Sequence, residues 1–128
     1  SAALTDVPGS SAVVDRGFVT YTNEAKHEML GVPMELIDTH GAVSEEVASA
    51  MAAGALQHSR AEIAVSVTGI AGPTGGSASK PVGLVWFGLA RRGGGVQTEK
   101  HIFEAKSRDF VRTEATQNAL QLILNALD

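Results

Sequence analysis

The chain has 128 residues, 44 % of them apolar and 19 % charged, which excludes a disordered or fibrous protein and allows one domain with a real core. Its net charge is −4 and no basic cluster exceeds Arg91-Arg92, so no nucleic-acid footprint is visible. It has no cysteine, which rules out thiol catalysis, thiolate metal sites and a disulfide frame within these residues, and no run near the ~18 apolar residues of a membrane span.

The opening SAALTDVPGSS reads as the last turn of a helix running into the Pro8-Gly9 breaker, so a preceding segment is expected. Residues 13–22, VVDRGFVTYT, have the composition of a strand, with Gly17 as a bulge or close-approach point. NEAKHEML follows as a helix that Asn23 can cap and Gly31 can stop. A short helical turn around PMELIDTHG ends at Gly41 in the same way. Ser44 caps SEEVASAMAAGALQHS, with Glu45 and Glu46 favoured by the helix dipole. Val47, Ala50, Met51, Gly54 and Ala55 make its apolar face, small enough to pack closely on a sheet.

Residues 62–68, EIAVSVT, read as a buried strand and residues 82–90, VGLVWFGLA, as another. The RRGGG turn leads into VQTEKHIFEA, an alternating strand nearer an edge. Ser107 caps a long closing helix with a stripe of Val111, Ala115, Ala119, Leu122, Ile123, Ala126 and Leu127. The pattern predicts an α/β fold: a three-layer α/β/α sandwich with a mixed sheet, spanning 1–128 as a single domain truncated at its front.

VTGIAGPTGGSASKPVG, residues 67–83, holds five of the fourteen glycines and leaves the carboxyl end of a predicted strand, where open α/β sheets place ligands. Glycines let main-chain N–H groups approach an anion or carbonyl oxygen, and Thr68 adds a hydroxyl at the loop's mouth. The loop is neither a Walker loop nor a GxGxxG dinucleotide pattern, and a flexible surface connection fits its composition equally. Tyr21, the only tyrosine, precedes Lys26 by five residues at a strand-to-helix junction. Lys26 is either a solvated lysine or, if burial lowers its pKa, a base. Arg108 follows the cap of the last helix, where a cation opposes the macrodipole. A bound anion relieves that conflict, and so does compensation by Asp109. Four scattered histidines without ligand spacing point to no metal site.

GFVTYTNEAK, LGV, HGAVSEEV, VTGIAGPTGG, KPVG and SRDFVR together resemble the CinA C-terminal domain family, and within it the stand-alone PncC-type nicotinamide-nucleotide amidases. The resemblance runs from about Leu4 to the C-terminus. It implies a cytoplasmic, homo-oligomeric hydrolase that needs no metal or cofactor, contacts neither nucleic acid nor membrane, and converts nicotinamide mononucleotide to nicotinate mononucleotide and ammonia. Carried over by motif, it implies catalytic roles for Tyr21 and Lys26. It implies substrate contacts for Thr68, Gly69, Gly72, Gly75, Gly76 and Arg108. The family's nucleophilic serine belongs to a Glu-Ser-Cys-Thr-Gly-Gly segment, which is expected a few residues before Ser1 and is not among the 128. Two other readings compete: a domain that binds a nucleotide without cleaving it, and a competence or damage-inducible accessory.

Overall fold

The computed structural model describes residues 2–127. Helix α1 (Ala2–Thr5) and a 3-10 turn (Ser10–Ala12) lead into an irregular stretch. Three helices follow: α2 (Asn23–Leu30), α3 (Met34–His40) and α4 (Glu45–Gln57). Strands β1 (Ile63–Gly69), β2 (Leu84–Arg91) and β3 (Val96–Ile102) form one antiparallel sheet in the order β1-β2-β3, and α5 (Arg108–Leu127) closes the chain.

The period of two along each strand assigns the layers. On β2, Val85 and Phe87 pack with Val111, Ala115 and Ala119 of α5. Ala90, on the opposite face, packs with Ala52 and Leu56 of α4. Ser66 donates to the carbonyl of Ala48 at 2.6 Å on that same face, and a Cβ at Gly88 would lie 2.5 Å from the same oxygen. Glycine therefore lets α4 settle directly on the sheet. Leu30, Ile37, Val47 and Met51 join α2, α3 and α4 into a single apolar cluster around the fully buried Val32. The α/β/α layering expected from the pattern is present. Every described pairing is antiparallel, and the parallel neighbour that a mixed sheet requires is not among the described strands.

The helix signals behave as their chemistry dictates, with adjustments of one or two residues. Thr22, rather than Asn23, caps α2 by accepting from the Ala25 amide at 3.0 Å, and Gly31 stops it with φ +70°. Ser44 caps α4 through the Val47 amide at 3.2 Å, and Ser107 caps α5 through that of Phe110 at 3.0 Å. The buried face of α4 is wider than expected and includes Ala48, Ala52 and Leu56, because α4 is sandwiched between the sheet and the α2–α3 pair.

Two strand expectations are corrected. Residues 14–21 carry no regular secondary structure and join no ladder, between a turn at Val13 and a bend at Thr22. Asp15 accepts from the Arg60 amide at 2.9 Å and Arg16 donates to the His58 carbonyl at 3.0 Å, fixing the start of the stretch to the turn after α4. Beyond that tether, Val19 is 86 % exposed. Strand β1 is half-buried, with Val67 41 % exposed, because it pairs on one side only among the described residues. In α5, Leu127 lies outside the buried stripe at 66 % exposure.

Candidate functional site

The junction between the irregular stretch and α2 positions Lys26. Its residue is 7 % exposed, and Nζ donates to the carbonyl of Thr20 at 3.1 Å. No carboxylate neutralises it among the described residues. Burial strips water from the ammonium and lowers its pKa below the ordinary lysine value. Of the two possibilities open in the sequence, the buried lysine is the one found. Tyr21, next to Thr20 in the chain, is 77 % exposed and makes no hydrogen bond among the described residues.

Thr68 and Gly69 end β1. Thr68 is buried, and its hydroxyl donates to the carbonyl of Ala42 at 2.8 Å, which leaves the oxygen's lone pairs to accept. Gly69 fits closely against β2, since a Cβ there would lie 2.7 Å from a methyl of Val85. The loop beyond is built on three glycines with positive φ, Gly72 at +81°, Gly75 at +94° and Gly83 at +98°. Gly72 and Gly76 both fold against Val82, on the returning limb. The two limbs of the loop thus meet at Gly72, Gly76 and Val82, while residues 73–79 are exposed.

Arg108 begins α5 and reaches the loop, donating from Nη1 to the carbonyl of Gly72 at 3.0 Å. The rest of its guanidinium keeps donors for a further acceptor. Asp109 forms no ion pair with it, so local compensation by that carboxylate is not what is observed. The motif residues therefore fall into two groups. Lys26 and Tyr21 stand at the start of α2, while Thr68, the glycines and Arg108 surround the loop. No hydrogen bond links the two groups directly.

Their connection runs through the α3–α4 corner, which sequence reasoning did not single out. Three successive carbonyls there each capture a side-chain donor: Lys80 on His40, Ser44 on Gly41 and Thr68 on Ala42. Lys80 lies in the quoted KPVG motif, but a contact spanning 40 residues leaves no local signal. Beyond Lys80 a cleft of about 420 Å³ opens between this corner and the sheet, walled by Glu45, Trp86 and Lys100. None of the motif residues expected to act on substrate lines it. Among the described residues no cluster of three or more metal-ligating side chains occurs, and no helix is long and apolar enough to cross a membrane.

A sequence model of the CinA C-terminal domain matches residues 1–127. The chain belongs to the CinA C-terminal domain family. Nicotinamide-nucleotide amidohydrolase PncC of Enterobacter agglomerans is 55 % identical over 122 residues, covering 95 % of this chain and 74 % of that protein. The protein of the same name from Escherichia coli K12 is 54 % identical over 120 residues, covering 94 % and 72 %. The crystal structure of the competence/damage inducible protein CihA from Agrobacterium tumefaciens superposes with a TM-score of 0.97 at 51 % identity, covering 99 % of this chain and 77 % of that one. The antiparallel sheet between α4 and α5 described above is therefore a frame shared with that structure.

Proposed function

We propose that this chain is the larger part of an amidase that hydrolyses the carboxamide of nicotinamide mononucleotide, releasing ammonia and nicotinate mononucleotide. The observation that carries the reading is Lys26: a buried lysine with a lowered pKa and no carboxylate partner among the described residues, beside an exposed tyrosine. Relatives at 54–55 % identity bear the name nicotinamide-nucleotide amidohydrolase, which supports the same substrate.

An amide resists attack, so a hydroxyl nucleophile must lose its proton as it adds to the carbonyl carbon. In this reading the hydroxyl is the serine of a Glu-Ser-Cys-Thr-Gly-Gly segment supplied ahead of residue 1. Neutral Lys26 takes its proton, directly or through the phenol of Tyr21. The tetrahedral oxyanion accepts hydrogen bonds from main-chain N–H groups of the glycine loop. Lys26 returns the proton to the amide nitrogen, the C–N bond breaks as the carbonyl reforms, and ammonia leaves an acyl-serine. Water then repeats the attack on the acyl-serine, with Lys26 again the base, to release the carboxylate product. Arg108 holds the ribose phosphate, and Thr68 orients the substrate at the mouth of the loop.

The working enzyme is read as a cytoplasmic homo-oligomer. The bare apolar edge at Val19 and Tyr21, 86 % and 77 % exposed, supports a covering surface there, and analytical ultracentrifugation measures the association. The alternative of binding without cleavage is favoured for these 128 residues by themselves, since they hold no Glu-Ser-Cys-Thr-Gly-Gly stretch. Ammonia release from nicotinamide mononucleotide separates the readings. The form carrying the serine segment should turn over and its Lys26→Met variant should not, while the 128-residue chain should bind without releasing ammonia. Steady turnover by that chain would place the nucleophile elsewhere.

A further inference from the structure

We propose that Lys80 is a positioning residue for the amidase reaction, tethering the glycine loop to the helical unit that carries Lys26. The proposal rests on the amidase reading above.

Lys80 stands on the returning limb of the loop, and its Nζ donates to the carbonyl of His40 at 2.5 Å. That carbonyl belongs to the last turn of α3, where an N–H partner within the helix is lacking and a cation is favoured. Gly41 makes the approach possible. A Cβ at residue 41 would lie 2.6 Å from the Lys80 ammonium, and its φ of +81° suits only glycine. Lys80 is also fixed within the loop. The Ser77 amide donates to the Lys80 carbonyl at 2.8 Å, and the Lys80 amide donates to Ser77 Oγ at 3.1 Å. Whatever holds Lys80 therefore holds the turn beginning at Ser77.

The other end of the tether is equally firm. The corner at His40–Ala42 joins α3 to α4, and the cluster of Leu30, Ile37, Val47 and Met51 locks those helices to α2. Lys26 is a buried member of α2. Thr68 anchors the outgoing limb of the loop to the same corner through Ala42, and Lys80 anchors the returning limb. Arg108 holds the loop from the α5 side at Gly72. Removing Lys80 frees one of these three side-chain anchors. The loop then loses order before binding, and substrate must supply it, which raises KM and leaves the chemistry at Lys26 intact.

The test compares wild type, Lys80→Met and Lys80→Arg in the form that carries the serine segment. Lys80→Met should raise KM for nicotinamide mononucleotide about tenfold with kcat within about threefold. It should also speed amide hydrogen exchange across residues 74–82 without substrate present. Lys80→Arg should restore both, because a guanidinium also donates to the His40 carbonyl. Unchanged exchange in Lys80→Met overturns the tether. Restored exchange in Lys80→Arg without restored KM also overturns the proposal, since the ammonium would then touch substrate itself. Failure of wild type to release ammonia overturns the amidase reading instead, while the exchange comparison still decides whether Lys80 orders the loop.

Discussion

The guanidinium of Arg108 donates to the carbonyl of Gly72, so the first residue of α5 holds the loop that leaves β1. This contact gives Arg108 two duties if it also clamps the substrate phosphate. Arg108→Ala should then weaken the phosphate-free riboside modestly, through the loosened loop. Nicotinamide mononucleotide should suffer further, by the ~1.5–3 kcal/mol of a lost charge-assisted contact. KM values for the two substrates, measured side by side, separate the effects. An equal loss for both would leave Arg108 as a loop tether alone.

Glu99 on β3 joins the sheet to α5. Its Oε2 accepts from Asn118 Nδ2 and lies 2.9 Å from His101 Nε2. The Asn118 hydrogen bond, and after it that of His101, lowers the Glu99 pKa below its ordinary 4.5. A carboxylate with a lowered folded pKa stabilises the fold above its unfolded pKa, and that stabilisation is lost as pH falls through the folded value. Glu99→Gln should therefore be less stable than wild type near neutrality, and the two should converge below pH 4.5 as the wild-type carboxylate protonates. Urea midpoints at several pH values check this. A constant gap across the acid range would remove the carboxylate's charge from the account.

Local chemistry was legible in the sequence wherever a signal and its effect lie within one turn. Gly31, Ser44 and Ser107 each end or start a helix as their residue types require. The central strand 84–91 announced itself as an apolar run because both its faces are covered. The stretch 13–22 had equally good strand composition, yet strand identity depends on a neighbour, and no described strand pairs with it. The site divides in the same way. Motif resemblance marked Lys26, Thr68 and Arg108, and spacing alone left each ambiguous. Lys26 is buried, and burial is a property of the packed helices α2, α3 and α4 together. The carbonyl row at His40–Ala42 was illegible because main-chain acceptors are identical in every residue.

Gly54 offers a test of the packing that supports Lys26. A Cβ at this position would overlap the carbonyl of Leu30, the last residue of α2. Alanine favours a helix over glycine by ~1 kcal/mol, but forcing α4 away from α2 costs ~1–3 kcal/mol for an overpacked contact and disturbs the unit around it. With main-chain atoms on the far side, no flexible side chain can yield. Gly54→Ala should lower the unfolding midpoint despite the better helix former. A stabilised variant would mean that α2 shifts freely against α4.

Lys26 should show opposite effects on stability and on turnover. Its ammonium is partly buried with a single carbonyl partner among the described residues, so the folded pKa lies below the ordinary 10.5. Between those two values the unfolded chain binds more protons than the folded one, and stability rises with pH across that window. Below the lowered pKa, the fold bears the full cost of burying the charge. Lys26→Met removes that cost, so it should unfold at a higher temperature than wild type near neutrality, with the difference shrinking as pH approaches 10.5. The same variant should lose turnover, because the base is gone. Lys26→Arg should fail as well, since a guanidinium stays protonated and is larger than the space vacated. In wild type, kcat/KM should climb with pH as the ammonium of Lys26 loses its proton, up to the lowered pKa. Thermal melts of both variants across pH, paired with ammonia release, check the two effects together. Near-normal turnover by Lys26→Met would take lysine out of the mechanism, and a flat difference in melting across the alkaline range would mean that its charge is not what the fold pays to bury.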